Sequence, residues 1–334
     1  MTVLTVDPVC LSREEFPAQS ALPATNFIRA ACEFDPHEAS VNNSHRTAGH
    51  LSQLPQAYVL VSAVTLVLTI VATTVGLLVP DFYRDAEILL PQLYGQDLLT
   101  LVVAVPALAV SLYYAAAGSL RGYVAWLGVT GYLLYTYASY SFLTAFNELY
   151  LVYIALFGLT LFTVIGGLTR LDATALKDAL GDHSVRPYVL FQALLAVLVA
   201  LMWLGDVGPA ILAGTRPPSI ADTNLPVPVI QSLDLGVVVP SFALSAYFLW
   251  QRRAWGYAFT GILLVKGTTL GLAVVAMIVF MLLDGQTVPF AQILLFTVFS
   301  LIGLALVLRF LFAIDSTRTT IESDASAVGR GDNY

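Results

Sequence analysis

YAFTGILLVKGTTLGLAVVAMIVFML, residues 257–282, runs for 26 residues with a single charged side chain, Lys266. At about 1.5 Å of rise per residue such a helix is about 39 Å long, more than the ~30 Å of hydrocarbon in a bilayer. It carries no continuous polar face of the kind a helix shows on the surface of a water-soluble protein. The stretch predicts a transmembrane helix, and most of the chain shares its character.

Of 334 residues, 58% are hydrophobic and 11% charged, with a mean hydropathy of +0.80. A soluble domain carries about 25% charged residues. Apolar runs at roughly 57–80, 98–117, 122–144, 149–168, 187–205, 228–250, 257–282 and 290–313 alternate with short polar segments. The expected fold is therefore an all-α, polytopic helix bundle of about eight spans, with the lipid bilayer as its first partner. Residues 1–56 show little periodicity and read as a polar, disordered tail. They lack the cationic segment, short apolar core and cleavage site of a signal peptide. Residues 169–186 read as a cytoplasmic connection and 314–334 as a cytoplasmic tail.

Basic residues give a direction. Alternate connections hold Arg46; Arg121; Arg170, Lys177 and Arg186; Arg252 and Arg253; then Arg309 and Arg318, whereas the other set holds only Arg84 and Arg216. Positive charge favours the cytoplasmic side, which places the protein in the cell membrane with both termini inside. Trp250, Trp255, Tyr257, Tyr123 and Trp126 fall near that boundary, where aromatic anchors belong.

Composition also excludes functions. The net charge is −7 and Lys177 and Lys266 are the only lysines, so no basic face for nucleic acid is present. Scarce lysine fits adaptation to high salt and equally a GC-rich genome's preference for arginine. Cys10 and Cys32 lie in the N-terminal tail and make no disulfide framework. His37, His45, His50 and His183 lie outside the spans, which removes histidine-ligated haem, di-iron boxes and an intramembrane zinc protease. Cys32 and the three tail histidines match no zinc spacing. No phosphate-binding glycine loop occurs. No metal and no cofactor are expected. A lysine on a seventh span is also found in retinal Schiff-base proteins, but here span 3 has no acidic counterion, Ile262 stands four residues before Lys266, and eight spans are read.

Sliding the chain against itself by 134 residues pairs Pro106 with Pro240, Ser111 with Ser245, Tyr113 with Tyr247 and Gly122-Tyr123 with Gly256-Tyr257. Over 97–132 against 231–266 there are 10 identities in 36 positions, where this composition gives roughly 3 by chance. The expected arrangement is a 4+4 internal repeat, residues 57–168 and 187–313, in parallel orientation about an axis along the membrane normal. Two similar apolar hairpins shaped by the same lipid would be the plainer explanation.

Lys266 needs a reason to be where it is. A charged lysine near a helix centre costs ~2.5–3.5 kcal/mol on insertion scales. Neutralising it at pH 7 costs about 4.6 kcal/mol in water. Asp234 is the intramembrane acid best placed to answer it. With Ser241 and Ser245 it forms one helical stripe, with Gln231 to one side. Counted from Trp250 and Tyr257, Lys266 and Ser241 lie about 13.5 Å deep and Asp234 about 10 Å further out. A direct ion pair is therefore strained, and a chain through water and Ser241 is easier to build. Pro240 removes a helical hydrogen bond and is expected to free the Gly236 carbonyl into the same polar pocket. Tyr132, the repeat counterpart of Lys266, is the tyrosine expected there, among Tyr135, Tyr137 and Tyr140. Gly267 and Gly271 form a G-x-x-x-G packing pair, and Pro106 and Pro240 shape their helices. The acids and amides of the opposite loops, Asp81, Asp85, Glu87, Gln92, Gln96, Asp97, Asn147, Glu148, Asp206, Asp222, Asp284 and Gln286, read as solvated loops or as a cation vestibule.

At QSLDLGVVVP (231–240), RRAWGYAFTGILLVKGTTLGLAVVAMI (252–278) and PQLYGQDLLT (91–100), the chain resembles a group of prokaryotic multi-spanning membrane proteins to which no activity is assigned. The likeness covers roughly 57–313 and implies architecture alone. The expected function is a small-solute or ion-coupled transporter using Asp234 and Lys266. The alternative is a membrane sensor or assembly component whose polar residues specify helix packing, with partners the sequence does not name. No nucleophile–base pair is visible, so an enzyme is not expected.

Overall fold

The structure, a computed structural model, describes residues 54–181 and 183–328, and these residues are helical throughout apart from their connections. The first 53 residues of the expected tail, with both cysteines and three of the histidines, lie outside the described part. The helices are α1 Gln56–Leu78, α2 Glu87–Ala116, α3 Leu120–Leu143, α4 Tyr150–Arg170, α5 Ala173–Leu180, α6 Arg186–Ala213, α7 Val229–Trp250, α8 Ala254–Leu283 and α9 Phe290–Val328.

Seven of these are long and apolar enough to cross a bilayer, α9 by its stretch Phe290–Ile314. The helix that falls short by composition is α3, although its 24 residues match the others in length. It lies largely inside the bundle, where its tyrosines and threonines meet other helices. The short helix α5 is set by Asp172, whose side chain accepts from the N–H groups of Thr174 and Ala175 at 3.0 and 2.9 Å, a conventional N-cap.

On α1 the radial arrangement is the reverse of a soluble protein's. Along α1 the buried residues are Ser62, Thr65, Thr69, Ala72, Thr73 and Gly76, at helical spacing, while Leu60, Val64, Val67, Ile70 and Val71 face outward. Small and hydroxylic residues inside let helices approach closely, and the large aliphatic residues outside make a surface suited to acyl chains. Six threonine hydroxyls are satisfied by their own helices: Thr65, Thr73, Thr100, Thr130, Thr160 and Thr269 each donate to the carbonyl four residues back.

Two helices form the centre. α3 packs on α2, α4, α7, α8 and α9; α8 packs on α2, α3, α5, α7 and α9. They cross where glycine leaves room, since a Cβ on Gly128 would come within 2.5 Å of Val265 Cβ and 2.9 Å of the Ile262 carbonyl. One turn along, Gly131 faces the Lys266 stem.

The helices that bear Pro106 and Pro240 each widen by one turn. Thr100–Ala104 in α2 and Asp234–Val238 in α7 are π-helical. The N–H of Val105 bonds to the Thr100 carbonyl and that of Val239 to the Asp234 carbonyl, five residues back in each case. Pro106 and Pro240 follow immediately. The expected effect of Pro240, one freed carbonyl at Gly236, is therefore incomplete: the Val239 N–H also skips Leu235 and shifts the helical register. The two helices end alike as well. Gly118 (φ 83°) and Arg252 (φ 54°) are left-handed. Ser119 and Arg253 reach back to Tyr114 and Phe248, and Gly118 and Arg252 to Ala115 and Leu249, the hydrogen bonding that closes a helix end.

Candidate functional site

Asp234 opens the π turn of α7, a kind of irregularity that recurs at functional sites. Its carboxylate is held from two sides. The Tyr135 hydroxyl of α3 donates to Oδ1 at 2.8 Å, and the Trp203 indole N–H of α6 donates to Oδ2 at 2.7 Å. On the other face of the same tyrosine lies Lys266 of α8, with Nζ 4.4 Å from the ring centroid. Asp234 and Lys266 are 9% and 7% exposed, and they attract each other electrostatically without a direct ion pair. Tyr135 thus serves both charges, its hydroxyl bonding the carboxylate and its π face the ammonium, an arrangement strongest where water is excluded. Lys266 Nζ has no hydrogen-bond acceptor among the described residues.

The other residues expected at this pocket are placed elsewhere. Gln231 is buried but donates to Asp206 Oδ2 at 3.2 Å and to Ser219 Oγ at 2.6 Å, a cluster that ties the loop after α6 to the start of α7. Ser241 makes no hydrogen bond to Asp234 or Lys266. Ser245 meets Thr260, which also receives Gln192 Nε2. Tyr132 is bound by Thr100 Oγ1 at 2.8 Å and Gln96 Nε2 at 3.0 Å. Gly267 and Gly271 face different neighbours within the bundle, the Phe242 ring and Ser300.

A second buried carboxylate sits in α2. Asp97 accepts from Tyr83 at 2.5 Å and Tyr140 at 2.9 Å, and Tyr153 packs against Tyr140. The nearby loop acids fasten structure. Asp85 accepts from the Ala145 N–H, Glu148 pairs with Arg84, and Asp206 holds Ser219. Burial pushes the Asp85 carboxyl above its ordinary range, against the pull of the Ala145 N–H. Among the described residues no group of acids and histidines could hold a metal ion.

Trp203 has no role in the sequence reading, because tryptophan in a span reads as an interfacial anchor. Its depth offers a clue. It lies 17 residues from the Arg186 end of α6 and Asp234 lies 16 from the Trp250 end of α7, about 25 Å along each. Trp203→Phe keeps the ring and deletes the donor to Asp234 Oδ2. It is expected to cost about 1–3 kcal/mol, the penalty for an unsatisfied buried acceptor, read as a lower unfolding midpoint in nanodiscs.

No family model, curated protein or solved structure matches the chain.

Proposed function

We propose that the protein crosses the cell membrane eight times, as two four-helix units of the same orientation, and moves a small solute coupled to a proton through the site made by Asp234, Tyr135 and Lys266. The observation that carries this reading is an acid and a base buried together in a lipid-facing bundle, with one tyrosine between them. Desolvating two such groups costs more than filling the same space with apolar side chains. Ionisable residues at this depth mark ion, proton or substrate pathways.

Several features support the eight crossings and the duplication. Residues 117–119 join α3 to α2 and residues 144–149 join it to α4, so each of its ends adjoins the end of a span. A displacement of 134 residues superposes the π turn Thr100–Ala104 on Asp234–Val238, and the left-handed residue Gly118 on Arg252. It also superposes the Tyr58–Trp126 ring contact on the Gln192–Thr260 hydrogen bond. Gly128 and Ile262 are counterparts under the same displacement and lie against each other, as residues beside a twofold axis do. Thr100 and Tyr132, hydrogen-bonded in the first unit, are the counterparts of Asp234 and Lys266. In this reading one copy carries the charges and the other a neutral pair. The bias of basic residues supports cytoplasmic termini.

The test is reconstitution into liposomes loaded with a pH-sensitive dye and challenged with a panel of solutes. Solute-dependent proton movement is expected in the wild type and its loss in Asp234→Asn and Lys266→Met. A panel in which neither substitution alters any flux overturns the reading. One observation favours the assembly alternative. An apolar groove between α6 and α9, lined by Leu195, Met202, Phe296 and Phe299, has the character of a helix-docking surface. Copurification of a stable membrane partner that shields this groove would select it.

A further inference from the structure

We infer that the solute is a small monovalent anion, bound at the Lys266 ammonium and carried with one proton on Asp234, so that loaded and unloaded sites are both neutral. The inference rests on the transport reading above and names its substrate class. The hydrogen bonding is lopsided in a way that selects the sign of the ligand. Both Asp234 oxygens already accept, one from an O–H and one from an N–H. A metal cation approaching that carboxylate would have to share it with two donors already bonded to it, one on each oxygen. The ammonium has the opposite need. It offers three N–H donors, is buried, and has no acceptor among the described residues; the Tyr135 ring face is its one assigned partner. What the site lacks is an acceptor, and an anion supplies it.

Charge balance then dictates the coupling. Asp234 is faced by Tyr135 from α3, by the Trp203 indole from α6 and, across the tyrosine ring, by Lys266 from α8. Without ligand, carboxylate and ammonium cancel. An anion added alone would leave a net negative site against the Asp234 carboxylate, and a proton added alone would leave a net positive one. Either is a buried uncompensated charge. Taken together they restore neutrality: the proton from solution goes onto Asp234, and the anion pairs with the ammonium as an ion pair with no bond made or broken. Tyr135 touches both charges, so an anion at the ammonium and a proton on the acid both act on it. The π turn at Asp234–Val238 puts a change of helical register at the same place.

The experiment uses the full chain in liposomes containing a pH-sensitive dye, with inward gradients of nitrate, lactate or chloride. The expected result is acidification of the lumen by at least one of the three. The rate is unchanged when valinomycin and potassium clamp the potential and when choline replaces sodium. It falls to that of protein-free liposomes in Lys266→Met. Asp234-dependent proton movement that follows a sodium gradient or a neutral solute, indifferent to the anion, overturns the anion assignment and leaves proton-coupled transport standing. A second measurement separates the reverse failure: the unfolding midpoint in nanodiscs rises with the anion in the wild type and not in Lys266→Met. That shift without any flux supports the anion site and removes the transport reading. Neither shift nor flux overturns the inference.

Discussion

Asp234→Asn destabilises the protein by on the order of 3–5 kcal/mol while Lys266 is present, and recovers part of the lost stability once Lys266 is Met; that range is typical of removing one partner from a buried charge pair. The asparagine can still accept from Trp203 and exchange a hydrogen bond with Tyr135, so the loss measures charge rather than packing. Lys266 then remains buried over an aromatic ring with no counter-charge. Lys266→Met costs less, because the stranded carboxylate keeps two donors, at 2.8 and 2.7 Å, and bonds of this kind to a charged group contribute about 1.5–3 kcal/mol each. The expected order of damage is therefore Asp234→Asn, then Lys266→Met, then the double substitution. The inversion, with two changes milder than either alone, is what a charge pair produces and a packing defect does not. Denaturant titration of the four proteins in mixed micelles measures it, and additive losses would show that the two residues do not interact.

That pair was legible because of its cost: a charge inside an apolar run requires compensation, and only one acid lay on the preceding helix at suitable depth. The partners were less legible, for a geometric reason. Grouping Asp234 with Ser241 and Ser245 assumes 3.6 residues per turn from 231 to 245. The π turn at Asp234–Val238 absorbs about one extra residue, and one residue is about 100° of helix rotation. Everything after the turn is rotated away from Asp234, so Ser245 faces Thr260 and Ser241 joins neither charge. Tyr132 was expected at the pocket because the 134-residue offset pairs it with Lys266. Yet counterparts under a twofold occupy equivalent places in two different units, and the tyrosine that reaches Lys266 is Tyr135, three residues on. The bundle itself was readable from runs that need no partner to be recognised. The apolarity of α3 understated its place, since a helix enclosed by other helices carries the polar side chains that lipid-facing ones exclude.

The second large effect is expected at Gly76. Alanine normally improves a helix interior by about 1 kcal/mol over glycine, and at Gly158, where an added Cβ meets nothing within 4 Å, that gain should appear. At Gly76 the sign reverses. A Cβ there would lie 2.2 Å from Asp97 Oδ2 and 2.4 Å from the Tyr83 hydroxyl, at the hydrogen bond that joins the loop after α1 to α2. Neither atom can retreat freely. Asp97 is also held by Tyr140, and the Tyr83 ring is packed edge-on against Phe82, Tyr94 and Tyr140. The methyl both pushes α1 away and disrupts the Tyr83–Asp97 bond, so overpacking of about 1–3 kcal/mol adds to the loss of a charge-assisted bond of about 1.5–3 kcal/mol. Set against the helix gain of about 1 kcal/mol, Gly76→Ala should therefore cost about 2–5 kcal/mol in the same titration. Tyr83→Phe distinguishes the cause: it removes the hydroxyl that the new methyl would strike, so the double substitution should cost less than the sum of the two, by the 0.5–3 kcal/mol found for residues in contact. Strict additivity would mean that the methyl is accommodated by a shift of α1 alone and that the tyrosine–carboxylate bond is not what makes glycine necessary there.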